Sequence, residues 1–175
     1  MSPVSKGIAI LGLLLLSTVG SGRAHDTASA SEIDPQKQFA DLAESLANGS
    51  VASIDILHMP DLVETRVSVA PANLESWFGS RVTINKVSEW SGREELVEIM
   101  KSTAVTRKSP MPDLRSAVIF YASDGRRIGT LYLGRYFGRY LGQFSGAAGA
   151  VGDTPVSFKG NFPTWLKRMI PSPLQ

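Results

Sequence analysis

Residues 117–133 read AVIFYASDGRRIGTLYL. Two apolar runs, Ala117 to Tyr121 and Ile128 to Leu133, flank Ser123-Asp124-Gly125-Arg126. Aspartate followed by glycine is the turn chemistry of a tight antiparallel hairpin, because glycine accepts positive φ without steric cost. A hairpin is marginal alone, so it must gain further strands and a covering layer. Any fold for this chain has to be built around that antiparallel pair.

The covering layer is legible as helical periodicity. Asp34-Pro35 opens a helix, with Asp34 as cap and Pro35 at the first helical position. Phe39, Leu42, Ala43 and Leu46 form its apolar stripe, and Asn48-Gly49 ends it. Ser91 and Glu94 have the spacing of a capping box before a second helix carrying Leu96, Val97, Ile99, Met100 and Thr103 inward. Pro71 to Phe78 reads as a short helix closed by Gly79, and Pro163 to Ile170 as a terminal one. Ile54, Ile56 and His58 alternate with Asp55 and Leu57 on a strand stopping before Pro60. Thr65 to Val69, Val82 to Val87 and Pro155 to Phe158 predict further strands. The expected class is α+β: one domain, mainly an antiparallel sheet with helices packed on it.

The amino terminus predicts export. Lys6, the apolar run Gly7 to Val19 and the small residues up to Ala24 have the order of a secretory signal peptide. The run is shorter than the ~20 residues of a bilayer-spanning helix. The expected organisation is a signal peptide at 1–24, a tether at 25–33 and one domain at 34–175, with no transmembrane span in the mature chain. The expected location is periplasmic or secreted. The chain has no cysteine, which excludes disulfides, thiolate metal sites and cysteine nucleophiles.

Charge is divided along the chain. Residues 25–100 hold 5 basic and 13 acidic side chains, whereas residues 101–175 hold 11 basic and 3 acidic. Such asymmetry suits a surface with opposed faces, meeting an oppositely charged protein, anionic lipid or glycan. Outside the cytoplasm, nucleic acid is not the expected partner.

Few residues suggest catalysis. There are two histidines, and Asp55, His58 and Asp61 are the one group from which a carboxylate-oriented general base could be assembled. Strand alternation sends Asp55 and His58 to opposite faces, so a hydrogen-bonded structural histidine is the plainer reading. Cleavage after Ala24 would leave His25 at the terminus, where its amine and ring could join His58 around copper. That arrangement needs a mobile tether to become a ligand, and the expectation is no metal and no cofactor. The serine elbow, dinucleotide fingerprint and phosphate loop are all missing from the sequence.

The segment LGRYFGRYLGQFSG, Leu133 to Gly146, repeats glycine every fourth residue. A helix there would carry four glycines at ~1 kcal/mol each. A single strand would be far longer than the usual ~3–10 residues. The favoured reading is a strand ending near Gly134, then a long connection from Arg135 to Asp153. Arginine and tyrosine are enriched at binding hot spots, so Arg135, Tyr136, Arg139 and Tyr140 are the candidate binding residues. The expected function is an exported, non-catalytic protein binder, of which an inhibitor or immunity-type partner is one form. The alternatives are an envelope hydrolase using His58, or a module for anionic lipid or glycan.

Overall fold

The computed structural model describes residues 34–60, 63–65, 67–134 and 147–170. Four helices occur among them: α1 (Pro35–Ala47), α2 (Pro71–Trp77), α3 (Arg93–Lys101) and α4 (Phe162–Met169). Seven strands form one sheet: β1 (Ser53–His58), β2 (Ser80–Asn85), β3 (Ala104–Arg107), β4 (Leu114–Tyr121), β5 (Arg127–Gly134), β6 (Ala147–Val151) and β7 (Thr154–Lys159). The order across the sheet is β2-β1-β4-β5-β6-β7-β3, and every pairing is antiparallel. The class is α+β, as the hairpin and helical stripes require. No helix among the described residues is long and apolar enough to cross a membrane.

The hairpin stands at the middle of this sheet, with β4 against β5 and Gly125 at φ 79° in the turn. Asp124 accepts from the Arg126 amide at 2.9 Å, which fixes the turn that glycine permits. At the start of α1, Asp34 accepts from the Gln36 amide at 3.0 Å. Phe39, Leu42, Ala43 and Leu46 are all buried, as the stripe demands.

The helices are unequally shared between the two sheet faces. On one face α1, α3 and α4 cover Ile54, Ile56, Val118, Phe120, Leu131 and Val156. Phe39, Phe158, Phe162 and Trp165 form a ring cluster there, with centroids 5.4–5.8 Å apart. The opposite face carries a smaller cluster, Leu57, Leu114, Ala117, Ile119, Tyr132 and Ala150, closed by Leu74 of α2 with Met59 and Val69.

Four expectations are corrected. Residues 147–151, taken as part of the long connection, are strand β6. Small side chains permit it: a Cβ on Gly149 would stand 2.0 Å from the Tyr132 carbonyl oxygen and 2.7 Å from the Phe158 ring. Glycine composition here reflects close approach within a sheet, not a loop. The described residues of Thr65–Val69 form no strand; they belong to an irregular strap over the second face. The Ser91–Glu94 capping box is not formed, and α3 opens on Gly92 with no side-chain cap. The Trp90 ring lies where a Gly92 Cβ would be, at 2.3 Å. Val87 lies beyond β2, in a 3-10 turn at Val87–Glu89.

Candidate functional site

Asp55 occupies the middle of β1 on the face opposite Ile54 and Ile56, with its side chain only 5% exposed. A buried carboxylate needs compensating donors. Thr83 Oγ1 donates to Asp55 Oδ1 at 2.7 Å, and the Arg81 guanidinium donates to Oδ2. Both donors come from β2, the strand paired with β1, so register alone brings them together. The carboxylate raises the Arg81 guanidinium still further from deprotonation, through a hydrogen bond and charge attraction.

A second polar group lies on the same face, nearer the sheet centre. Arg127 of β5 donates to both carboxylate oxygens of Glu75 on α2, at 3.0 and 2.7 Å. The Tyr132 hydroxyl donates to Glu75 Oε1 at 2.5 Å. Arg127 holds the Glu75 carboxyl below its ordinary range, against the opposing effect of partial burial. Burial, followed by the bond to Glu75, pushes the Tyr132 hydroxyl up. Arg127 also reaches the Tyr121 hydroxyl, which feels the charge of Arg81 as well. Tyr121 thereby stands between the two ion pairs.

The third group anchors the strap. Arg115 sits at a register irregularity in β4, between Leu114 and Ser116, with its side chain 2% exposed. It donates to Asp113 Oδ2 at 2.6 Å, to the Val63 carbonyl at 2.9 Å and to Met59 Sδ at 3.2 Å. Asp113 Oδ1 accepts from the Val69 amide at 2.8 Å. One buried ion pair therefore pins both ends of residues 59–69. None of these groupings is visible as a motif, since the partners are separated by up to 57 positions. The signal present in the sequence is single: Asp55 and Arg115 are charges inside apolar strands, and such charges require partners.

His58 lies on the other face of β1, as alternation requires. Its Nδ1 is 3.0 Å from Ser116 Oγ of β4, and Ser80 is its register partner on β2. Ser116 is in turn paired with Leu133, next to the end of β5. The structure thus does not bring Asp55 and His58 together; Asp61 lies outside the described residues. Arg135, Tyr136, Arg139 and Tyr140 also lie outside them, as does His25. Among the described residues no group of three or more histidine, aspartate or glutamate side chains could hold a metal ion.

The strap and α2 also carry the exposed apolar groups. Val63, Val67 and Trp77 are 43%, 64% and 56% exposed, and no other large hydrophobic side chain among the described residues is as open. All three lie within residues 63–77, immediately before the edge strand β2. Comparison of the chain with protein-family models, with curated proteins and with solved structures gave no match.

Proposed function

We propose that the chain is an exported, non-catalytic binding protein whose partner is another protein of the envelope or secreted fraction. One observation carries this reading: the exposed large apolar side chains are concentrated on the strap and α2 rather than scattered. Isolated exposed apolar residues are ordinary, but a concentration that includes tryptophan is the composition of a contact surface. The charged groups beneath are engaged with one another, so Arg81, Arg115 and Arg127 serve to hold that surface in place. Arg135, Tyr136, Arg139 and Tyr140 remain part of the proposal as a second contact segment. An inhibitor or immunity-type role is its narrower form.

Affinity capture from an envelope extract tests it. A specific protein should co-elute with the wild-type chain. Trp77→Ala should weaken that capture by about 2 kcal/mol, roughly thirtyfold. Combined alanine substitution of Arg135, Tyr136, Arg139 and Tyr140 should weaken it further. Unchanged capture by both variants would remove the assignment.

Two observations favour second readings. The 3.0 Å approach of His58 Nδ1 to Ser116 Oγ is within reach of a base and a hydroxyl nucleophile, which suits an envelope hydrolase. Ester turnover that survives His58→Ala would sink that reading. Lys101, Arg107, Lys108 and Lys159 are exposed around β3 and β7, which suits anionic lipid or glycan. Such binding must weaken with added salt, because surface charges are screened.

A further inference from the structure

The sheet ends in two edges of different character. β3 has four residues, includes Arg107 and continues into Lys108, with Lys159 on its neighbour β7. Pro110 and Pro112 follow directly. Shortness, repeated like charge and nearby proline are devices that keep an edge from pairing with another chain. β2 has six residues, Ser-Arg-Val-Thr-Ile-Asn, with neither proline nor glycine. Its one charged side chain, Arg81, is already paired with Asp55. Among the described residues β2 pairs with β1 alone, leaving its outer row of backbone donors and acceptors directed outward.

We infer that β2 joins a second copy of this chain, antiparallel about a two-fold axis at Thr83, running two seven-stranded sheets into one. The strand matches itself in that register. Arg81 of one copy falls opposite Asn85 of the other, so no like charges meet. Val82 falls opposite Ile84, and Thr83 opposite Thr83. Val82 and Ile84 already belong to the helix-rich apolar face, so the joined strands extend one apolar row through the contact. Threonine pairs and paired branched side chains favour cross-strand contact. Moving the axis to Val82 would instead set Ile84 against Ser80, opposing apolar to polar. The contact is isologous and therefore closes at two copies, consuming both free β2 edges.

Sedimentation equilibrium of the purified protein over a wide concentration series tests this inference. A monomer–dimer equilibrium is expected. Asn85 is exposed, and each Asn85 substitution acts at two symmetric pairs. Asn85→Arg places two arginine pairs face to face and should weaken the dimer roughly twofold to thirtyfold. Asn85→Asp faces Arg81 with opposite charge and should tighten it by a similar factor. Thermal melting of dilute monomer should be alike for both variants, separating a contact effect from a folding effect. Slower exchange of β2 amides at high concentration would accompany the dimer. A chain that stays monomeric throughout would overturn the inference. So would a dimer whose affinity does not move in opposite directions for the two substitutions.

Discussion

On the helix-rich face of the sheet, contact is ring against ring: Trp165 lies 5.8 Å from Phe162, and Phe162 lies 5.4 Å from Phe158. On the opposite face the covering strap is held by Arg115, Asp113 and two backbone groups, and α2 by Glu75 with Arg127 and Tyr132. The first arrangement depends on buried apolar area, which is non-directional and indifferent to salt. The second depends on a few directional bonds between charges, each of which fails when one partner is lost. The same sheet therefore has one face that must unfold as a whole and another from which a segment can detach locally.

Substitutions can break that contrast in graded steps. Trp165→Ala empties the centre of the ring cluster and should cost about 3–5 kcal/mol in chemical denaturation. Its effect should appear as global loss of stability, unchanged by salt. Arg115→Ala leaves Asp113 without its cation and Val63 without its donor, for about 3 kcal/mol. Here amide exchange and proteolysis should rise first in residues 59–69, while α1, α3 and α4 stay protected. A uniform rise over both faces would refute the idea of a separately held strap. Gly149→Ala forces a methyl into the Tyr132 carbonyl and the Phe158 ring, and should cost about 1–3 kcal/mol through distortion of β6.

The smallest effect belongs to Glu75. Its folded carboxyl lies below the ordinary 4.5, so its contribution is fully present above that value and fades as pH falls through the lower folded one. Glu75→Gln should cost up to ~1 kcal/mol near neutrality. It should also remove part of the acid-induced loss of stability. An unchanged acid limb would show that Arg127 does not discriminate between the two forms of Glu75.

The sequence disclosed those parts of the fold whose cause is local. Asp34, Gly125 and the Phe39–Leu46 stripe act within a few residues of themselves, and each is found where the local pattern puts it. β6 was illegible because its reason is a neighbour: Gly149 is glycine to admit Tyr132 and Phe158, which are distant in sequence. β3 has no pattern beyond Val105, its buried residue, and exists because β7 offers it an edge. The strap resembles a strand in composition, with Val67 and Val69, but side-chain anchors rather than a ladder hold it. The same limit applies to the candidate surface. His58 and its strand-end position could be read from alternation, whereas Ser116 opposite it is a product of register. Trp77 becomes informative only when its exposure is known.

The pairing of Ala104 with Lys159 has a consequence for how the molecule is completed. β3 precedes β4 in the chain yet joins the sheet beyond β7, so its only partner is the last strand to be synthesised. The hairpin of β4 and β5 can form as soon as its residues are available, but sheet closure waits for a contact across about fifty positions. Loop closure of that span is entropically costly and slow relative to local pairing. A chain ending before residue 154 should hold a formed hairpin and an unpaired β3. The molecule is therefore finished from its carboxyl end, and even a short truncation there should undo a segment lying near the middle of the sequence.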